Sequence, residues 1–148
     1  MKKKRPARRH ATKGGGPTRS MLAAMRALAR EARERAQAPY SRFKVGAALK
    51  TRTGEIVTGC NIENASYGLS MCAERVAVFK AVSEGLDDFD VVAVVADSRR
   101  LTPPCGPCRQ ILWEYCGDIL VHMADLKGRS RTMRLSALLP MPFDGGHL

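Results

Sequence analysis

Two apolar periods alternate along this chain, and the places where one gives way to the other mark its elements. Residues 1–18 carry neither period and include Gly14-Gly15-Gly16-Pro17. They bury too little surface to offset ordering, and the pattern predicts a disordered tail. From Thr18 onward, Leu22, Met25, Leu28 and Ala29 fall three and four apart, the spacing of one helix face, with Thr18 or Ser20 as N-cap. That pattern stops before Pro39. Residues 43–49 and 55–60 read as strands joined by Thr51-Arg52-Thr53-Gly54, a hairpin with a glycine turn. A loop rich in Asn, Ser and Gly covers 61–70. Residues 71–83 are helical, with Ala73, Val76, Ala77 and Ala81 on one face and Gly85 as the stop. Residues 90–96 are a Val-rich run of the kind buried within a sheet. Residues 105–116 predict a helix opened by Pro104 and closed by Gly117. Two strands, 119–123 and 132–135, and a short helix, 135–139, complete the chain. The order α-β-β-α-β-α-β-β-α, with no internal repeat, implies a mixed sheet with helices on both faces, in one domain over 19–148.

Composition changes this picture in one respect. The formal net charge is +11, but it is not spread evenly. Lys2, Lys3, Lys4, Arg5, Arg8, Arg9, Lys13 and Arg19 stand in the first twenty residues with no acid among them. The remaining 17 basic residues face 14 acidic ones, so the body is ordinary and the basicity is a tail. Charge runs at termini are commonly solvated extensions; the functional alternative is an arm for nucleic acid or targeting. No eighteen-residue apolar run predicts a membrane span, and the basic start lacks the apolar stretch of a secretory signal. Five cysteines, two of them in Cys-x-x-Cys, read as metal ligands in a reducing cytoplasm rather than as a disulfide framework.

Three cysteines and one glutamate carry the candidate chemistry. Cys72 and Glu74 stand in Ser70-Met71-Cys72-Ala73-Glu74-Arg75, and the second pair in Pro103-Pro104-Cys105-Gly106-Pro107-Cys108. Zinc binds thiolates readily, and Cys-x-x-Cys at a helix start aims two sulfurs at one point. The partial positive charge of a helix N-terminus also favours the thiolate. Structural zinc sites close with four ligands, whereas catalytic ones keep three and leave a position open. Cys72, Cys105 and Cys108 make three. Zinc lowers the pKa of water it holds toward about 7, but three thiolates oppose that with their charge. Arg75, one turn beyond Cys72, is placed to balance it, unless it is simply a surface arginine. Glu74, two residues from Cys72, is placed to move protons rather than to ligate. Taken alone it would read as a first-turn acid favouring the helix dipole. Cys60 and Cys116 read as small buried hydrophobes, with Cys60 as a possible fourth ligand in a closed structural site. His10, His122 and His147 lack ligand spacing, and Trp113 reads as core or subunit contact.

Cys-x-Glu followed by Pro-Cys-x-x-Cys resembles the signature of zinc nucleobase deaminases. Further strings narrow the resemblance to the small homotetrameric cytidine deaminases across nearly all of residues 20–143. They are Ala38-Pro39-Tyr40-Ser41-Arg42-Phe43-Lys44-Val45-Gly46-Ala47-Ala48-Leu49, Gly59-Cys60-Asn61-Ile62-Glu63-Asn64-Ala65-Ser66-Tyr67, and Pro104-Cys105-Gly106-Pro107-Cys108-Arg109-Gln110. The resemblance implies a three-layer α/β/α sandwich around a five-stranded mixed sheet and one Zn2+ per subunit. It implies hydrolysis of cytidine and 2′-deoxycytidine to the uridine forms, with Glu74 as proton shuttle. Asn61 and Glu63 would hold the ribose 3′-hydroxyl, and Phe43 would pack against the pyrimidine. Ala65, Tyr67 and Phe143 would be contributed to neighbouring sites in a homotetramer. Pro142 stands where relatives carry a small residue before the aromatic. The expected partner is a free nucleoside in the cytoplasm, with no membrane and no nucleic acid except through the tail. A blasticidin-type aminonucleoside deaminase and a nucleic-acid-editing deaminase are the alternatives within the same zinc chemistry.

Overall fold

The structure, a computed structural model, describes residues 16–148; the expectation of a disordered tail falls on residues that lie largely outside that range. Helix α1, Arg19–Glu34, begins at Thr18, whose side chain accepts the Met21 N–H at 3.1 Å. Its buried Met25, Ala29 and Ala32 form the stripe that covers one face of the sheet. The helix ends at Glu34, before Pro39 as expected. Beyond it, Gln37 N–H donates to Asn61 O and Glu63 N–H to Gln37 O, drawing this segment into a bridge.

Strands β1, Val45–Thr51, and β2, Ile56–Cys60, form the antiparallel hairpin. Gly54 turns it at φ +108°, a conformation that side chains rarely adopt. Helix α2, Ala73–Ser83, leads to β3, Phe89–Ala96. Helix α3, Gly106–Cys116, then crosses over to β4, Leu120–Ala124, which lies parallel to β3. Strand β5, Ser130–Arg134, and the short α4, Leu135–Leu138, follow. The sheet order is β2-β1-β3-β4-β5, and every neighbour except the β3–β4 pair is antiparallel. The predicted order of elements and the mixed five-stranded sheet are both observed.

Alternation along β3 separates two cores. Val92 and Val94 face α2 and α3, with Ala77, Val78, Leu112 and Leu135. Val91, Ala93 and Val95 face α1, with Met25 and Ala29. Each fully buried Val or Leu contributes about 1.5–3 kcal/mol, so a run that is apolar on both sides belongs at the centre of the sheet. Two glycines set how closely the helices sit. A Cβ on Gly46 would lie 1.9 Å from Ala29 O in α1, and one on Gly59 would lie 2.5 Å from Ala73 O and 2.6 Å from Ala77 N in α2. Both helices therefore rest backbone against backbone on the hairpin. Among the described residues no helix is long and apolar enough to cross a membrane.

Candidate active site

The parallel β3–β4 pair sends the chain into α3, whose N-terminus meets that of α2. Sequence spacing placed Cys72 and the Cys105–Cys108 pair at two helix starts, and they lie there: Cys72 and Cys105 are N-caps with extended backbone, at φ −72°, ψ 153° and φ −66°, ψ 169°, each immediately before its helix, while Cys108 sits in the first turn of α3. This geometry brings the sulfurs together. Cys72 Sγ lies 3.7 Å from Cys105 Sγ, and Cys105 Sγ lies 3.3 Å from Cys108 Sγ. All three fall within 4.8 Å of one another and form the only such ligand cluster among the described residues. Four-coordinate zinc with about 2.3 Å Zn–S bonds needs sulfurs about 3.8 Å apart, close to the spacing seen. Cys108 is buried and Cys105 exposed, so the cluster is rooted in the core and open on one side. Donor type, number and spacing fit one zinc ion per chain. Cys60 is not part of the cluster, which removes the four-cysteine alternative. Cys116 stands apart as well, its thiol pushed up by burial.

Electrostatics at the cluster favour a thiolate. A hydrogen bond with Cys108 and the Arg75 guanidinium pull the Cys72 thiol down to about 5, while the same bond and burial drive Cys108 up. Arg75 Nη2 lies 3.5 Å from Cys72 Sγ and 3.5 Å from Ser70 O, and its Nε is buried without a partner. The arginine is thus turned inward. Glu74 is 4% exposed. Burial pushes its carboxyl up to about 7, the range in which a group can both take and give a proton near neutral pH. A divalent ion nearby pulls the other way.

The remaining predicted residues divide in two. Asn61, Glu63 and Phe43 meet at one loop. Asn61 Oδ1 accepts the Val45 N–H at 2.8 Å, and its Nδ2 donates to Phe43 O at 2.8 Å. Glu63 Oε2 accepts the N–H groups of Tyr40 at 2.9 Å and Ser41 at 3.2 Å. Both residues cap loop backbone, and each keeps hydrogen-bonding capacity to spare. Phe43 is 39% exposed. Ala65, Tyr67 and Phe143 face solvent in the single chain; Tyr67 meets Tyr40 edge-on at 5.9 Å, and Phe143 stacks on His147 at 5.1 Å.

Sequence reasoning passed over three supporting residues. Arg109 ties the Cys105 loop to the C-terminal segment, donating to Pro104 O at 2.8 Å and to Leu138 O at 2.7 Å. Gln110 Nε2 donates to Phe143 O at 2.7 Å. Ser41 bridges Glu63 and Phe43. All three stood in the quoted strings, but none is a residue type whose chemistry announces a role. Trp113 packs against the core, and His122 is buried with Nδ1 2.8 Å from Thr132 Oγ1.

A mixed sheet between helical layers, with a three-thiol metal cluster and a buried carboxylic acid at converging helix N-termini, defines a zinc-binding α/β enzyme. The family model for the cytidine and deoxycytidylate deaminase zinc-binding region matches residues 19–123, and the chain belongs to that family. A cytidine deaminase of Halalkalibacterium halodurans is 54% identical over 114 residues, covering 76% of this chain and 86% of the relative. The solved cytidine deaminase of Burkholderia pseudomallei superposes with a TM-score of 0.80 at 44% identity, over 82% of this chain and 98% of that one. A blasticidin-S deaminase of Bacillus cereus is 32% identical over 111 residues, covering 70% of this chain and 79% of the relative.

Proposed function

We propose that this chain deaminates cytidine and 2′-deoxycytidine hydrolytically, giving uridine and 2′-deoxyuridine with release of ammonia. The observation that carries the reading is the meeting of Cys72, Cys105 and Cys108 beside buried Glu74. Cys72, Cys105 and Cys108 hold the zinc, which supplies Lewis-acid activation of water at neutral pH. Arg75 offsets the thiolate charge. Glu74 takes one proton of the attacking water and delivers it to the ring nitrogen beside the amine-bearing carbon; it then takes the second from the hydroxyl now on that carbon and gives it to the departing amine, so that the C–N bond breaks as the C=O forms. Phe43 packs against the pyrimidine. The free Asn61 N–H and the unused lone pair of Glu63 donate to and accept from the sugar 3′-hydroxyl. A site built around that hydroxyl selects free nucleosides, because a polymer carries a phosphate there.

The active unit is a homotetramer in the cytoplasm. The exposed Tyr67, Phe79, Tyr115 and Phe143 supply apolar contact surface, and Ala65, Tyr67 and Phe143 reach the sites of neighbouring copies. The five free cysteines suit a reducing compartment. The catalytic domain spans 19–148. The blasticidin-type reading is the weaker one, since the higher identity lies with cytidine deaminases.

The test compares wild type with Glu74→Gln, following loss of cytosine absorbance and measuring zinc in both. Expected is turnover by the wild type and a variant that keeps its zinc while kcat falls by about 10²–10⁴. A zinc-loaded, folded wild type that leaves cytidine untouched and consumes blasticidin S would transfer the assignment to that substrate.

A further inference from the structure

The turn 40–43 is tied down more firmly than an idle loop requires. The Arg42 N–H closes on Ala38 O at 3.0 Å, and Arg42 takes φ +58°, a region rarely adopted by residues with a side chain. Such a conformation persists where its surroundings over-determine it. Here they do so through one carboxylate and one hydroxyl. Glu63 Oε2 accepts the Tyr40 and Ser41 N–H groups, while Oε1 accepts the Ser41 O–H. Ser41 Oγ in turn accepts the Phe43 N–H at 3.0 Å. A single hydroxyl thus links Phe43 to Glu63, as acceptor on one side and donor on the other.

Counting acceptor positions shows what this link does. An ionised carboxylate offers about four lone-pair sites. Two backbone amides and the serine occupy three. The one that remains is on Oε1, the oxygen that Ser41 shares, so the serine sets the direction in which it points. Bonds in such a chain polarise one another, and the Phe43 N–H strengthens the serine as a donor.

We propose that Ser41 is a positioning residue for substrate recognition, aiming the free lone pair of Glu63 at the sugar 3′-hydroxyl while holding Phe43 against the base. This rests on the reading of Phe43, Asn61 and Glu63 given under the proposed function. The rival account is that Ser41 only stabilises the turn. The Glu63 carboxyl is held below its ordinary range by the Ser41 hydroxyl foremost, as expected of a bond made to the ionised form.

The experiment compares wild type, Ser41→Ala and Ser41→Thr with cytidine and with 3′-deoxycytidine, which lacks the hydroxyl that Glu63 would hold. Ser41→Ala should raise KM for cytidine roughly tenfold, the worth of one charged hydrogen bond, and change kcat less than about threefold. With 3′-deoxycytidine its KM should rise no more than about threefold, the part owed to Phe43. Ser41→Thr, which keeps the hydroxyl, should restore the cytidine value. In a Glu63→Gln background, Ser41→Ala should cost no more than about threefold, the part owed to Phe43, because the carboxylate it acts through is already altered. On acidification the KM of Ser41→Ala should climb from a higher pH than that of wild type. Zinc content and melting temperature of each variant separate these effects from misfolding. Equal losses with both substrates, or no loss with either, would overturn the assignment to Ser41 alone. A wild type that does not deaminate cytidine would overturn the functional reading itself and the Ser41 proposal with it.

Discussion

Gly59→Ala should damage fold and metal site together, although it adds one methyl group in a strand that bears no ligand. The new Cβ would lie 2.5 Å from Ala73 O, 2.6 Å from Ala77 N and 3.1 Å from Val76 Cβ. Carbon contacts become favourable near 3.5 Å, so α2 must retreat by about 1 Å. The two nearest atoms are backbone, and no side-chain rotation relieves them. Overpacking of this kind costs about 1–3 kcal/mol, less the few tenths or more gained by removing a glycine from the unfolded chain. For a chain of this length the net of about 0.5–2.5 kcal/mol lowers the melting temperature by roughly 1–10 °C. Cys72 immediately precedes Ala73 and moves with it. Zinc sites tolerate errors of about 0.2 Å in ligand distance, so the displacement exceeds what the site can absorb unless α3 follows. Thermal melts and zinc content after dialysis should both fall for Gly59→Ala. Gly145→Ala, with nothing within 4 Å of its Cβ, serves as the neutral control. A Gly59→Ala protein that melts within 1 °C of wild type and keeps its zinc would refute the idea that backbone contact seats α2.

Stability should also depend on pH through His122. Burial and the Arg26 guanidinium hold its imidazole below the ordinary 6.5, so the unfolded chain takes up the proton first. The contribution is intact above pH 6.5 and is lost as pH falls below it. Denaturation midpoints between pH 8 and 5 should show the decline, and His122→Asn should flatten it. Assembly has its own signature: if neighbours complete each site, activity per subunit should fall on dilution in step with the loss of tetramer in sedimentation velocity, and constant activity across that dissociation would argue for self-sufficient subunits.

Much of this was legible in residue order because the relevant physics is local. Cys-x-x-Cys places two sulfurs within one helical turn wherever that helix packs, and an apolar run such as 91–96 in β3 has few places to go except the middle of a sheet. What could not be read depends on contacts between distant segments. Cys72 and the Cys105–Cys108 pair were each legible as helix starts, yet that their sulfurs meet emerges only when the two starts face each other. The bridge that follows α1 is made with residues 61–63, far from it in sequence. Asn61 and Glu63 enter through the family resemblance, and the structure shows much of their hydrogen-bonding capacity spent on the loop bearing Phe43. Ser41 went unnoticed because a serine in a turn is ordinary until its acceptor and donor are known.

The spacing of the three sulfurs also bears on oxygen. With zinc bound they are ligands; without it, Cys105, exposed, stands 3.3 Å from Cys108 and 3.7 Å from Cys72. Thiols so placed at a helix start are well disposed to lose two electrons and two protons to an oxidant and close a disulfide. The resulting bond would consume ligands, so an ion lost in air could not be regained by adding zinc alone. Metal occupancy would then act as a safeguard against oxidation, and recovery of the empty protein would require a reductant first.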